Sequence, residues 1–540
     1  MNLGTLTEQL LRLPTTAREA VVVARSGMMP LTRPDRSAQA LLALRRYGIL
    51  GAAIRIAADR HPDMVGLVDE RGELTFRELD RRSNALANAW LARGLDHTSV
   101  IAVLCRDHRG LIESMFASGK IGARLLLMNT GFARPQFAAV CEREGVSALV
   151  YDEEFTEILG DVPASVPRQV AWTDDSAAAA HETLEDLIAS AGDDLERKPK
   201  EPGGLVLLTS GTTGTPKGAP RHVTSPFAAA QLLDRIPLQP GERTFFGAPL
   251  FHGTGLSQFL ITLALGSTTI VRRRFDPIAT LEALARYRVE ELVVVPTMLQ
   301  RILNLGADEI RKHDTSTLRI IFCAGSALPP EVGTRAMELF GDVVYNLYGS
   351  TEVAIATVAT PEDWKAAPGT VGRSPVGCKV RLYDDAGRRI TSPETIGRVF
   401  VGSGLKFGGY TGGGSKEEID GLLSSGDVGH FDADGLLFID GRDDDMIVSG
   451  GENVFPIEVE NLLLEHPAVA DAAVIGVPDD EFGQRLKAFV VLRSGANLEP
   501  DEVQAHVKAN LARHKVPRDV VHVEELPRNA TGKLLRNQLS

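Results

Sequence analysis

The chain has 540 residues, 44% of them hydrophobic and 24% charged, with a mean hydropathy of −0.03. That is soluble globular composition, and it is too long for one compact core, so at least two domains are expected. A net charge of −13 excludes a general nucleic-acid binder, whose phosphate contacts need a basic surface, while leaving room for a local patch that holds a nucleotide.

Four cysteines, Cys105, Cys141, Cys323 and Cys378, lie far apart with no metal-ligand spacing, which fits free thiols in a reducing compartment. No apolar run is long enough to span a bilayer. Glu8 interrupts the stretch a secretion signal would need. A cytoplasmic protein is expected.

Residues 1–50 read as an N-terminal extension. Over residues 1–60 nine arginines face four acids, and Leu41 to Leu50 mixes apolar with basic positions. The expectation is a helix packed on its own domain; the alternative is an interfacial helix touching anionic lipid, with peripheral membrane contact. From about residue 50, short apolar runs alternate with helical stretches. Ser99–Leu104, Ala148–Tyr151, Gly204–Leu208 and Glu291–Val295 read as buried strands, and Phe76–Arg93 and Pro277–Tyr287 as helices. This alternation predicts helix-covered, largely parallel sheets. The Gly- and Asp-rich stretch 399–440 reads as an antiparallel portion.

After Asp445 a compact α+β pattern begins: a helix around Pro456–His466, strands at 469–477 and 485–493, a helix at 500–513 and a strand at 519–525. The predicted class is therefore α/β: a large domain over 51–443, with helix-covered sheets and an antiparallel portion, and a small mobile α+β domain over 444–540.

The segment Thr209-Ser210-Gly211-Thr212-Thr213-Gly214-Thr215-Pro216-Lys217-Gly218 follows the strand ending at Leu208. Glycines let backbone N–H groups approach a polyphosphate, hydroxyls add donors and Lys217 adds charge. It is not the common P-loop, because Pro216 precedes Lys217 and Gly218 follows it, where that loop requires Gly-Lys-Ser/Thr.

This loop resembles the signature loop of the adenylate-forming superfamily. Further motifs of that family recur in order: Pro249-Leu-Phe-His-Gly-Thr-Gly255, Tyr348-Gly-Ser-Thr-Glu352, Ser425-Gly-Asp427, Gly441-Arg-Asp-Asp-Asp-Met-Ile447 and Pro527-Arg-Asn-Ala-Thr-Gly-Lys533. The likeness covers roughly residues 50–540, and within the superfamily it is most like bacterial medium- and long-chain fatty-acyl-CoA synthetases.

The resemblance implies a role for each motif. Tyr348, Gly349 and Ser350, with Gly325, Ser326 and Ala327, resemble the adenine site, in a turn where Tyr348 offers its face. Thr351 donates to the α-phosphate, and Glu352 with Thr209 holds magnesium through hard oxygens. Asp427, read in a tight turn, accepts from the ribose hydroxyls, with Arg442 as second contact. Lys533 bridges the carboxylate and the α-phosphate. Asp444 matches the hinge, although Gly-Arg-Asp-Asp-Asp stands where many fatty-acyl relatives have Gly-Arg-Lys-Lys-Asp. Ser449, Gly450 and Gly451 match the pantetheine tunnel.

His252, Gly253 and Gly255 are expected at the acyl pocket. Amino-acid-activating relatives place an aspartate where His252 stands; without it a buried α-amine has no partner, so a plain carboxylic acid is expected. The apolar helix Gly255–Leu265 fits a fatty chain. The expected activity is ATP-dependent conversion of a carboxylic, fatty acid to acyl-AMP and thioesterification to coenzyme A, with ATP, Mg2+ and coenzyme A required. Loading of a separate acyl carrier protein is the alternative, and an adenylate-binding regulatory protein the non-enzyme alternative.

Overall fold

The computed structural model describes residues 14–29, 34–174, 179, 181–209, 217–219, 221–223, 227–350, 352–407, 416–443, 445–449, 452–479, 482–529 and 532–539. These form two compact units. The first comprises Met1–Val293, Asp314–Arg319 and Leu405–Ser415; the second comprises Val294–His313, Ile320–Gly404 and Lys416–Ser540.

The first unit holds two large sheets and a two-stranded antiparallel pairing of Leu405–Phe407 with Arg221–Val223. In one, the order is Arg168–Trp172, Ala148–Asp152, Val100–Leu104, Arg124–Leu127, Leu205–Thr209 and Lys217–Ala219, parallel except for the last pair. Val100–Leu104 is buried at every position, as a central parallel strand covered on both faces must be. In the other, Val65–Asp69, Thr268–Val271, Arg243–Phe246 and Glu291–Val294 are neighbours in parallel, and Gly72–Thr75 adds an antiparallel edge.

Sequence explains where the helices of this unit start and stop. Thr75 and Glu78 form a capping box at the head of Phe76–Ala92, which satisfies two N–H groups the first turn would leave open. Gly122, left-handed at φ 79°, ends Arg109–Ile121.

Helix Pro34–Arg60, which follows Thr15–Arg25, is broken at Gly48 (φ 66°, ψ −175°). Beyond the break, Leu50, Ala52, Ile54 and Ala57 are buried. Gly51 there lies so close to Gly119 that a Cβ on Gly119 would come within 2.3 Å of the Gly51 nitrogen. Before the break, Leu41, Leu42 and Leu44 are 48%, 66% and 40% exposed. The packed helix expected from sequence thus describes only the second half. Among the described residues no helix is long and apolar enough to cross a membrane.

The second unit contains the parallel pair Ile320–Cys323 and Val344–Ser350, with Ala354–Ala359 antiparallel beside it. An antiparallel sheet of Arg389–Ile390, Lys379–Tyr383, Gly397–Gly402, Leu422–Phe431 and Glu418–Ile419 follows, with Leu437–Arg442 paired to Leu422–Phe431. Its C-terminal part is a five-stranded sheet: Glu452–Val454, Ile447–Ser449, Gly483–Leu492 and Val469–Asp479, with Asp519–His522 parallel to Gly483–Leu492. Helices Pro456–Glu465 and Pro500–Asn510 accompany it.

Two elements end earlier than the sequence suggests. The last helix stops at Asn510 because Leu511 turns extended (φ −126°, ψ 166°) and packs on the local core. The final strand stops at His522, ahead of a bend at Glu524 and Glu525.

Candidate active site

In the first unit the parallel strand Leu205–Thr209 runs toward the glycine-rich segment, and chain pairing returns at Thr209↔Lys217. The residues between, among them Ser210, Gly211, Thr212, Thr213 and Gly214, lie outside the described residues, as do Thr351, Asp444, Gly450 and Gly451.

The segment Pro249–Gly255, expected at the acyl pocket, follows strand Arg243–Phe246 and opens helix Gly253–Ala264, with His252 half-buried at its N-cap. A Cβ built on Gly253 would lie 3.9 Å from Leu207, on the strand that leads to the segment expected to bind phosphate. Gly255 is buried where a Cβ would come 2.3 Å from the Pro249 carbonyl and 2.8 Å from that of Ala248. Only glycine allows this contact between helix and loop.

Asp107 braces the same loop. Its carboxylate accepts from the Leu250 N–H at 3.1 and 3.3 Å, and burial pushes its carboxyl up to about 7. Sequence reading gave no signal for Asp107, because its partner is 143 residues away.

Beside it, Cys105, His108 and Asp152 bring ligand atoms within 4.8 Å of one another, a cluster that spacing alone did not reveal. It is poorly suited to a metal. His108 Nδ1 accepts from the Gly110 N–H at 3.0 Å, so Nε2 carries the proton and donates to Asp152 Oδ1 at 2.7 Å. Burial and the Asp152 carboxylate also hold the Cys105 thiol protonated.

In the second unit Tyr348, Gly349 and Ser350 are not in a turn: they end strand Val344–Ser350. The turn follows at Glu352–Val353, before Ala354–Ala359. Glu352 Oε2 accepts from Ser350 Oγ at 3.1 Å, and Ser350 Oγ in turn accepts from the Glu352 N–H at 3.2 Å. A glutamate carboxylate beside a serine hydroxyl is a hard-oxygen set of the kind magnesium takes. Gly325, at φ 102°, Ser326 and Ala327 form the loop after Ile320–Cys323.

Asp427 likewise lies within a strand, Leu422–Phe431, rather than in a free turn. Gly426 at φ 83° and a shift in register put a bulge at Ser425-Gly426-Asp427, which re-aims the carboxylate. Asp427 pairs directly across the hairpin with Arg442, so two residues fifteen apart in sequence become neighbours. The Tyr348 hydroxyl donates to Asp427 Oδ2 at 2.5 Å. Burial raises the Asp427 carboxyl overall, and the Tyr348 bond, Arg442, Ser425 and Lys533 pull it back. Burial and the neighbouring carboxylate push the Tyr348 hydroxyl well up, so it remains a donor.

Lys533 therefore sits close enough for its charge to act on Asp427. Its turn is built tightly. The Asn529 N–H donates to the Lys533 carbonyl at 2.9 Å, and Asn529 Oδ1 accepts from the Lys533 N–H at 2.9 Å. Arg528 holds the Gly532 carbonyl at 2.9 Å while pairing with Asp471. Gly532 is left-handed at φ 73°, and a Cβ there would lie 2.2 Å from Thr297 Oγ1. Ser449 ends strand Ile447–Ser449, which pairs antiparallel with Glu452–Val454 across Gly450 and Gly451.

Comparison with known proteins agrees with this organisation. The model of the AMP-binding enzyme family matches residues 54–411, and that of the AMP-binding enzyme C-terminal domain matches 458–533. An indoleacetate–CoA ligase of Aromatoleum aromaticum is 31% identical over 89% of this chain and 96% of its own length. A fatty acid–[acyl-carrier-protein] ligase of Streptomyces coeruleorubidus is 29% identical over 89% of this chain and 94% of its own. Among solved structures, the O-succinylbenzoate coenzyme A synthetase of Bacillus subtilis with ATP and magnesium superposes with a TM-score of 0.77 at 27% identity, covering 90% of this chain and 98% of that one. The chain belongs to the AMP-binding enzyme family and is an adenylate-forming enzyme.

Proposed function

We propose that this enzyme is an acid–thiol ligase. It joins a carboxylic acid without an α-amine to AMP, using ATP, and passes the acyl group to coenzyme A with release of AMP and pyrophosphate. The observation that carries this reading is the cluster in the second unit: Asp427 faces Arg442 across the hairpin, is bonded by Tyr348, and feels the charge of Lys533. A half-buried carboxylate between an arginine and a tyrosine hydroxyl suits a ribose diol, and a lysine nearby suits the charge that builds at an α-phosphate.

Adenylation brings two anions together, so its barrier is lowered by positioning and by fixed positive charge. The loop 209–218 is assigned to the ATP phosphates, Thr351 to the α-phosphate, and Glu352 with Thr209 to magnesium, which supplies charge neutralisation when bound. Asp444 is assigned to the hinge, and Ser449 to Gly451 to the pantetheine path; the small domain begins at the hinge. His252, Gly253 and Gly255 are assigned to the acyl side. No acidic residue stands between Gly253 and Phe259 to hold an amine.

The fatty chain suggested by the apolar helix is one member of the acid class. The relatives are named for indoleacetate, for succinylbenzoate and for a fatty acid carried by a protein. The last name supports an acyl carrier protein as the alternative acceptor. Exchange of labelled pyrophosphate into ATP, with a panel of alkyl and aryl acids, tests activation. Coenzyme A and a carrier protein, each offered to the preformed acyl adenylate, then separate the acceptors. No exchange with any acid would remove the reading.

Peripheral contact with anionic lipid is assigned to Leu41, Leu42 and Leu44, which lie exposed beside the exposed Arg45 and Arg46. Sedimentation with anionic but not neutral vesicles is the expected result, and equal recovery with both refutes it.

A further inference from the structure

Gln258 lies on helix Gly253–Ala264 and is completely buried. Neither its Oε1 nor its Nε2 has a hydrogen-bond partner among the described residues. An unmet buried group of this kind is costly, and buried amides are nearly always partnered.

Its neighbours on the helix fix where it looks. Residues 255, 258 and 262 share one face. Gly255 abuts the carbonyls of Ala248 and Pro249, just past strand Arg243–Phe246. Thr262 Oγ1 lies 3.5 Å from Thr244 Oγ1, near the start of that strand. Gln258 is between them, so it faces the carboxyl end of Arg243–Phe246, in a group of four strands that run parallel. Ligands of open parallel sheets bind outside that end. Gly253, against the strand that leads to the phosphate loop, is five residues away, a rise of about 7–8 Å along the helix.

We propose that Gln258 is a specificity-determining residue whose amide binds a hydrogen-bonding group on the acyl part of the acid. This rests on the acid-activation reading above and narrows it. The favoured substrates carry a hydroxyl, carbonyl or ring nitrogen on the order of 7–8 Å from the carboxylate, the span from Gly253 to Gln258. An unsubstituted alkyl chain leaves the amide unmet, whereas a polar group satisfies its acceptor and donors together. Sites built to bond a hydroxyl reject the analogue that lacks it far more strongly than apolar pockets sort by size.

The rival occupant is a water joining Gln258 to the Thr262–Thr244 pair. The test compares matched acids, 4-hydroxycinnamate against cinnamate and 8-hydroxyoctanoate against octanoate, by kcat/KM for acid-dependent pyrophosphate exchange. The wild type should favour the hydroxylated member of at least one pair by about tenfold or more. Gln258→Met keeps side-chain length and removes the amide. It should bring that ratio to within about threefold of unity, mainly by slowing the hydroxylated acid. Gln258→Leu should do the same if the methionine variant fails to fold. A wild-type preference for the plain acids, or a ratio that either variant leaves unchanged, overturns the assignment. Exchange with no acid at all would instead sink the activation reading itself. Thermal melting is the independent readout: removing an unmet amide should leave the melting point of Gln258→Met unchanged or raised. A marked fall would show that the amide is already bonded in the free protein and would overturn the proposal.

Discussion

Asp427 in the second unit is half-buried and Gln258 in the first is fully buried, and their surroundings differ in kind. Asp427 has a tyrosine hydroxyl on it, an arginine opposite and a lysine within electrostatic reach. Gln258 has no partner at either end of its amide among the described residues, and nearby Asp107 has one backbone N–H for a buried carboxylate. A polar frame that satisfies itself costs little to keep ready, and it suits a ligand whose shape never changes, such as a nucleotide. A polar group left unmet suits a ligand that brings its own partner.

The comparison is tested hardest at Lys533. Lys533→Ala should slow adenylate formation by ~3–4 kcal/mol of transition-state stabilisation, roughly a hundred- to a thousandfold. The reaction of a supplied acyl adenylate with coenzyme A should survive. Pyrophosphate exchange and thioester formation, measured separately, read the two steps. Equal losses in a folded variant would mean that the lysine supports structure rather than the first step.

Asp427→Asn is next in size. It keeps the shape but loses a charge-assisted acceptor, so the KM for ATP should rise by about ten- to a hundredfold, in line with roughly 1.5–3 kcal/mol for such bonds. The KM for the acid should hardly move. A change confined to the acid would break the division between a nucleotide side and an acyl side.

The division also marks what could be read in the sequence. Asp427, Arg442, Tyr348 and Lys533 were legible because they sit in short motifs of fixed spacing. What spacing did not reveal was their local structure. Tyr348 and Asp427 look like turn residues beside Gly349 and Gly426, but strand pairing across the sheet holds both in extended chain, with a bulge doing the work of a turn. The strand and helix pattern was legible from apolar runs, apart from ends such as Leu511, where local core packing overrode helix continuation. Gln258 and Asp107 were invisible for another reason. A glutamine in an apolar helix looks like a surface position until burial is known, and Asp107 meets its partner only through tertiary folding.

A smaller effect probes how firmly the lysine turn is held. Arg528 links Asp471 to the Gly532 carbonyl, with both charged side chains about a quarter exposed. Partly exposed pairs are worth roughly 0.2–1 kcal/mol, so Asp471→Asn should lower pyrophosphate exchange by at most about fivefold and spare transfer to coenzyme A. Transfer falling in parallel would assign the pair to general stability.

The last contrast, read in stability rather than in rate, concerns Asp107, an acyl-side carboxyl whose partner is a single backbone N–H. Its carboxyl is held near 7 in the folded chain by burial, against an ordinary 3.8. The unfolded chain therefore ionises first. The contribution of this residue to stability is full below about pH 4, declines as pH rises toward about 7, and is level above. Asp107→Asn keeps an oxygen for the Leu250 N–H and removes the titration. Its melting temperature, compared with that of the wild type, should accordingly gain steadily from about pH 4 to about pH 7 and then stay constant. A difference that is flat across this range would mean that the carboxyl is already ionised when folded. That would require a compensating partner like those around Asp427, and the contrast between the two sides would fail at that residue.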